Sequence, residues 1–262
     1  MRYLKLLLAF TKYGFLAQLE FRASFWFAIL GKTIRLVIQI LFLVAIFHNV
    51  PRLGNWSFES MLLVVATFNL LTSLGTVTFH RNLVFWLPNT LRDGTFDFRL
   101  TKPISPLFHS AFRVIDSMDL LSAIPVMIVW FYALAQAQVN LLSGAGLLYL
   151  GLLVAAYLFY FSLFLIGGTM SFWTITGYGM GRFLEGFLKL AIFPPEVLGS
   201  PLGIIIKIIL PIAILAVVPT QALLGLVTPA TVAMFMTLAL AWVALAYIFW
   251  RFGLSRYSSA SA

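Results

Sequence analysis

Residues 147–175 read LLYLGLLVAAYLFYFSLFLIGGTMSFWTI, and no charged side chain occurs anywhere in this stretch. About 20 apolar residues suffice for a helix to cross the hydrocarbon core of a bilayer. The run is continuous rather than alternating, which favours a helix over a strand of a membrane barrel. Since 62% of the 262 residues are hydrophobic, the sequence predicts an all-α integral membrane protein.

Together with residues 147–175, five similar apolar runs predict six transmembrane helices in a single domain, 1–262. The spans cover about residues 24–47, 58–79, 112–135, 147–175, a stretch that begins near Met180, and 231–250. Before the first span, residues 1–23 carry three cations on one helical face and predict an amphipathic helix in the membrane interface. Five prolines interrupt residues 194–219, so residues 194–222 are expected to form a re-entrant helical segment before the last span.

The net charge is +9. The positions of the basic residues between the predicted spans indicate a membrane orientation rather than a nucleic-acid-binding surface. With six spans and both termini in the cytoplasm, only Arg52 and Lys207 lie on or near the outer side, as the positive-inside rule requires. The expected location is therefore a plasma membrane, in a bacterium, with lipid and not nucleic acid around the chain. The absence of cysteine excludes disulfides and thiolate metal sites.

Enzyme chemistry is not indicated by the sequence. The three histidines are too far apart in sequence to form a metal-binding pair on one helix turn. Gly31-Lys32-Thr33 matches the end of a nucleotide-binding loop, but Trp26 stands where that motif needs its first glycine. We therefore predict no catalytic residue, no metal site and no cofactor in this chain.

A cluster of charge lies between the second and third predicted spans, in a cytoplasmic region at 80–106. Its central part, GTFDFRLTKPISP at residues 94–106, resembles a signature of ABC-2 type permeases, G-x-[LF]-D-x-x-L-x-K-P-x-x-P. The prolines at 193–219 resemble the broken extracellular segment of the same family. The resemblance covers nearly the whole chain.

The resemblance implies a transport subunit of an ATP-driven exporter. It implies a separate cytoplasmic P-loop ATPase that binds ATP and Mg, and a second permease, identical or similar, that completes the pore. The charged region would be a coupling helix that contacts the ATPase, with Asp97 and Arg99 in charge-assisted contacts, Phe96 as the buried anchor and Gly94 in a tight turn. The predicted coupling residues are Arg92, Asp93, Gly94, Phe96, Asp97, Arg99, Lys102 and Pro103.

Candidate residues along the substrate path are polar side chains within the spans: Asn69, Thr72, Ser162 and Thr169. Such residues also hold helices together without contacting cargo. Several ionisable residues lie in or beside the spans, and the sequence does not decide whether their role is structural or functional: Lys32, Arg35, Asp116, Asp119 and Glu185. With Arg113, the two aspartates suggest an ion-pair cluster, and Glu185 with Lys189 suggests another pair.

Two other functions stay open at this stage. An ion-coupled secondary transporter would use buried ionisable residues such as Lys32, Arg35 and Glu185, and would stop when the ion gradient collapses. A membrane scaffold without transport activity would not need a charged cluster at this position. Dependence on a P-loop ATPase would favour the exporter.

Overall fold

The computed structural model describes residues 2–18, 22–174, 177–196 and 211–258, and within these ranges the chain is helical without a β-strand. A single antiparallel bridge in these ranges, Leu53 with Trp56, closes the loop after the second helix. The α-helices are α1 Arg2–Gln18, α2 Arg22–Asn49, α3 Phe58–Gly75, α4 Leu87–Arg92, α5 Asp97–Leu100, α6 Pro106–Phe112, α7 Ser117–Ser122, α8 Ile124–Gln136, α9 Gly144–Thr169, α10 Gly177–Leu188, α11 Val217–Leu223 and α12 Pro229–Ser255.

Five helical stretches of the described residues are long and apolar enough to cross a membrane. They are Ile29–Asn49, Phe58–Arg92, Asp119–Gln136, Gly144–Phe172 and Pro229–Ser255. These helices include most of the first, second, third, fourth and last predicted spans. Of the fifth predicted span, the structure describes α10 and a 3-10 turn at Lys189–Ile192, while residues 197–210 lie outside the described ranges. A six-span topology therefore stays a prediction.

Hydroxyl side chains begin three of these long helices. Ser57, Ser143 and Thr228 accept hydrogen bonds from backbone N–H groups three residues later, at 3.3, 3.1 and 3.2 Å. Such caps satisfy donors that would otherwise be unpaired in the first turn. Pro229 follows the last of them at the first helical position, where its missing N–H costs nothing. Local sequence thus fixes where α3, α9 and α12 start.

The centre of the bundle is α9, which packs against α3, α11 and α12. Gly168 lets α9 also approach the helical segment that follows α3, because a Cβ there would lie 2.8 Å from the carbonyl oxygen of Leu83. Near the other end of α9, the Tyr149 hydroxyl accepts from Trp130 Nε1 at 2.8 Å and bonds the Thr67 hydroxyl at 2.9 Å. These contacts join α9 to α3 and α8 without leaving a buried polar group of that set unpaired.

The second membrane helix is longer than its predicted span, 58–79. Two π-helical segments, Thr76–His80 and Asn82–Trp86, connect α3 to α4, so that one continuous helical stretch runs from Phe58 to Arg92. The first part of the predicted coupling region, 80–92, is therefore helical, and the placement of 80–106 in the cytoplasm stays a prediction. The helix ends at Arg92, and the loop begins at Asp93.

The third predicted span also began too early. Helix α6 ends at Phe112, α7 begins at Ser117, and the backbone between them is irregular. Asn82 pairs with that backbone: its Nδ2 donates to Val114 O at 2.7 Å, and its Oδ1 accepts from Val114 N at 3.1 Å. Asp116 N donates to Val77 O at 3.0 Å, a carbonyl in the first π segment. The π-helical segments thus supply partners for the irregular backbone.

The proline-broken segment is described only in part. A 3-10 turn at Ile212–Leu215 leads into α11, and the residues of both are buried almost throughout. Helix α11 is seven residues long, too short to cross a bilayer. The re-entrant arrangement of residues 194–222 stays a prediction.

Candidate functional site

The loop after the long helix makes a tight turn at Gly94. Gly94 has a φ of 70°, in the left-handed region that glycine enters without a steric penalty. Phe96 N then donates to Thr90 O at 3.0 Å, and a single helical turn, α5, follows. The predicted coupling helix is therefore one turn long in this structure.

Phe96 fastens this loop to the ends of two membrane helices. Its side chain is fully buried and packs edge to face with Phe172, which follows α9, and with Tyr257, which follows α12. The Tyr257 hydroxyl donates to Asp97 Oδ1 at 3.0 Å. The structure corrects the predicted role of Phe96: its ring is an anchor within its own chain, not one available to a partner.

Arg99 is buried as well, with 3% of its surface exposed. Its Nη1 donates to Ser110 Oγ at 3.1 Å, and its guanidinium lies 5.8 Å from the centre of the Phe96 ring. Burial first, and then the charge of Arg113, lower the Arg99 pKa to about 10, so the group is charged at neutral pH. The predicted contact of Arg99 with an ATPase is thus corrected to an internal one.

Other members of the predicted coupling set do reach solvent. Arg92 and Asp93 form an exposed ion pair with 3.1 Å between Nε and Oδ1, and Lys102 and Pro103 are exposed farther along the loop. Phe98 is 70% exposed, and Leu100 is exposed beside it. We call Arg92, Asp93, Phe98, Leu100 and Lys102 the coupling surface. A bare aromatic ring among charges is typical of a protein-binding surface.

His109 in α6 lies behind this loop among positive charges. Burial first, and then the charges of Lys102, Arg99 and Arg113, lower the pKa of His109 to about 4 from an ordinary 6.5. Its imidazole is therefore neutral in the folded protein at pH 7.

The lowered pKa of His109 predicts a loss of stability in acid. Between pH 6.5 and pH 4 the unfolded chain takes up a proton at His109 and the folded chain does not. The free energy of unfolding therefore decreases as the pH falls through this range. Relative to a His109→Gln variant, we expect the free energy of unfolding to fall by about 2 kcal/mol between pH 7 and pH 4. Denaturant unfolding in detergent at both pH values measures this difference, and parallel curves for the two proteins would contradict it.

A second feature is a cavity of about 240 Å³ among α2, α3, α7, α8, α9 and α10, which we call the polar cavity. Asn69 and Thr72 of α3, two of the four predicted path residues, line it. Asn69 Nδ2 donates to Gln39 Oε1 of α2 at 2.9 Å. Ser162 and Thr169 do not line it: both are fully buried, and their hydroxyls donate to carbonyls of α9 at 2.7 and 2.6 Å. Which residues line the substrate path stays a prediction.

Ion pairs surround the polar cavity. Lys32 Nζ contacts Asp119 Oδ1 and donates to Ser122 Oγ at 2.9 Å, which joins α2 to α7. His80 Nε2 lies 3.0 Å from Glu185 Oε1 and joins the long helix to α10.

A third ion pair lies outside the residues that line the cavity: Arg81 Nη1 donates to Asp116 Oδ2 at 2.6 Å. The two aspartates thus pair with Arg81 and Lys32, and Asp119 N donates to Asp116 Oδ1 at 3.2 Å. Glu185 pairs with His80. The predicted cluster with Arg113 and the predicted pair of Glu185 with Lys189 stay predictions.

Sequence reasoning missed several residues of the cavity wall. Gln39 on α2, and Ser73, Thr76 and His80 on the long helix, line it beside the predicted ones. The signal was present: polar residues recur every three or four positions at 32, 35 and 39 and at 69, 72–73, 76 and 80. Two polar stripes in two apolar spans predict that the spans face each other.

Comparison with known proteins identifies the family. A family model described as ABC-2 family transporter protein matches residues 33–261. The chain belongs to the ABC-2 transporter family. It is thus an integral membrane permease, a transport component that is not itself catalytic. No match was found among curated proteins or among solved structures.

Proposed function

We propose that this permease is the transmembrane subunit of an ATP-driven exporter. A separate cytoplasmic P-loop ATPase, which holds ATP and Mg, docks on the coupling surface, and a second permease, identical or similar, completes the pore. The observation that carries the proposal is the coupling surface itself: exposed Phe98 with exposed charges, at the end of the helix that lines the polar cavity.

The length of that helix supports a loop in water. The stretch Phe58–Arg92 has 35 residues, or about 52 Å at roughly 1.5 Å per residue, against a hydrocarbon core of about 30 Å. About 20 Å of helix therefore extends beyond the core at one end. With Arg81, Arg92, Arg99 and Lys102 at that end, the positive-inside rule favours the cytoplasm. Six spans with both termini in the cytoplasm of a bacterial plasma membrane agree with this orientation.

The packing of the loop supports mechanical coupling. A push on Phe98 acts on α5, which is fixed through Phe96 to Phe172 and Tyr257. The same loop continues the helix that carries Asn69 and Thr72 into the cavity. The π segments between loop and cavity are places where a helix changes register at low cost. Movement at the loop therefore reaches α9, α12 and the cavity wall together.

A secondary transporter is the second candidate. It is favoured by the cavity-lining pairs Lys32–Asp119 and His80–Glu185, because ionisable groups that face a cavity between spans serve ion-coupled carriers. The charged loop has no role in that mechanism.

Purification and transport assays separate the two functions. The tagged chain is isolated from its native host in mild detergent, and co-purifying proteins are identified by mass spectrometry. We expect a P-loop ATPase in near-stoichiometric amount, and transport in vesicles that needs ATP and survives collapse of the ion gradients. Recovery of the chain alone in several mild detergents, with transport that stops when the gradient collapses, would overturn the exporter and favour the carrier.

A further inference from the structure

Two cations on the wall of the polar cavity lack a counter-ion among the described residues. Arg35 of α2 and Lys189, just after α10, both line the cavity, and neither forms an ion pair with a described residue. Of the two carboxylates of the wall, Asp119 pairs with Lys32, and Glu185 pairs with His80 and lies within electrostatic reach of Lys189. Arg35 is therefore the cation of the wall without an acidic neighbour among these described pairs. Three side chains that carry a permanent positive charge, Lys32, Arg35 and Lys189, thus line the cavity with two carboxylates, Asp119 and Glu185.

The position of Arg35 makes this excess informative. It lies six residues inside the candidate membrane helix Ile29–Asn49, about 9 Å along the axis at roughly 1.5 Å per residue. A charge at that depth is costly unless it faces water or an anion. Arg35 is exposed and lines a cavity whose two acids pair with Lys32 and His80, so a bound anion would supply its partner.

The size and surroundings of the cavity limit that molecule. A volume of about 240 Å³ holds about eight water molecules at roughly 30 Å³ each, enough for a polar headgroup but not for acyl chains. The outer face of α2 beside it is apolar and exposed at Ile34, Ile38 and Leu41. Only 11% of the α2 span is buried, so acyl chains have a surface to lie on next to the cavity.

The chemistry of the wall favours an anionic group. The Arg35 guanidinium offers two parallel N–H donors that match phosphate or carboxylate oxygens, and the Lys189 ammonium adds a second positive charge. The Ser73 hydroxyl lines the same cavity and can donate to a further oxygen. We propose that the polar cavity binds the anionic headgroup, phosphate or carboxylate, of an amphiphile through Arg35 and Lys189. That this amphiphile is the cargo rests on the proposed export function; the binding site itself does not.

Binding to the full chain without any ATPase tests the site. The permease is placed in phosphatidylcholine nanodiscs and titrated with fluorescent phosphatidylglycerol. The Arg35→Gln, Lys189→Gln double variant should bind the probe at least tenfold more weakly, while Arg35→Lys stays within about threefold of the natural chain. The matched control is Arg251→Gln, which removes one exposed cation from α12 away from the cavity and should leave the affinity unchanged.

A competition with inorganic phosphate separates the two sources of the anion. If inorganic phosphate alone displaces the probe, the anion site is supported and its ligand is a soluble anion. If phosphate does not displace the probe, and the double variant still binds the probe more weakly, the site is supported and its ligand is a lipid headgroup. Equal affinity of the natural chain and the double variant, or equally tight binding of labelled phosphatidylcholine, overturns the proposal. If the double variant melts early in neutral nanodiscs, the single Lys189→Gln change at an exposed side chain replaces it, with an expected loss of about threefold.

The outcome of this binding assay is independent of export. Tight, Arg35-dependent binding in a chain that recruits no ATPase would sustain the anion site and remove the exporter. ATP-driven transport without Arg35-dependent binding would sustain the exporter and remove the anion site.

Discussion

Replacing Phe98 by aspartate should lower the affinity of the permease for its ATPase by about a hundredfold, since an aromatic hot spot contributes about 2–4 kcal/mol. Phe98 is 70% exposed, more than Leu100, the other large apolar side chain of the coupling surface, so burying its ring against a partner removes a large apolar area from water. A carboxylate there brings a charge into a contact that would otherwise be desolvated. Titration of the co-purified ATPase onto the permease in nanodiscs measures the affinity.

The matched control for this change is Leu142→Asp. Leu142 is 86% exposed in the loop between α8 and α9, which the proposed topology places on the outer side. Both variants add an acid at an exposed apolar site, and only the one at Phe98 should reduce ATPase binding and ATP-dependent transport. Neither should shift the melting temperature by more than about a degree, because surface substitutions change stability little. Unchanged binding in Phe98→Asp would remove the coupling surface from the proposal.

The phenylalanines of the loop show what the sequence can and cannot specify. Phe96 and Phe98 are two residues apart in one charged motif, and the motif predicts a loop that contacts a partner. Which ring points inward depends on Phe172 and Tyr257, which lie 76 and 161 residues away from Phe96 in the chain. Tertiary contacts of that range leave no local signal, so the sequence predicts two exposed rings and does not show that Phe96 is the buried one.

The membrane helices were predictable because their signal is local. An apolar run of about 20 residues has few other structures available in lipid, and residues 147–175 differ little from the helix at Gly144–Phe172. The face of such a helix is less predictable when apolar residues surround it on all sides. All four side chains donate a hydrogen bond to a carbonyl of their own helix. Asn69 and Thr72 line the cavity and Ser162 and Thr169 do not, and no property of the four side chains separates them in advance.

The irregular backbone at Val114 was not predictable from its own sequence, because its partner is the side chain of Asn82, 32 residues earlier. The apolar residues around Val114 read as the start of a span. A buried amide on the facing helix, at the start of the second π segment, pairs with the backbone where the helix stops at Phe112 and restarts at Ser117. Asn82 therefore determines the geometry between the coupling loop and the third membrane helix.

Replacing Asn82 by leucine should lower the free energy of unfolding by about 2 kcal/mol, because the N–H and C=O of Val114 lose their partners together. The side chain of Asn82 is buried, and leucine fills a similar volume, so lost hydrogen bonds rather than a cavity dominate the cost. Asn89→Leu is the matched control: Asn89 is half-buried in the same continuous helix, and no described residue hydrogen-bonds its side chain.

Two measurements in detergent follow the Asn82→Leu change. Denaturant unfolding gives the change in stability, with Asn89→Leu expected within about 0.5 kcal/mol of the natural chain. Hydrogen exchange should show the amides of residues 113–116 exchanging at least tenfold faster in Asn82→Leu than in the control, because the broken backbone is no longer held to the long helix. Because Arg81 and Asp116 are adjacent to these contacts, a loosened segment should also uncouple the loop from the cavity and reduce transport. Equal stability and exchange in the two variants would show that the break between α6 and α7 is held by other contacts.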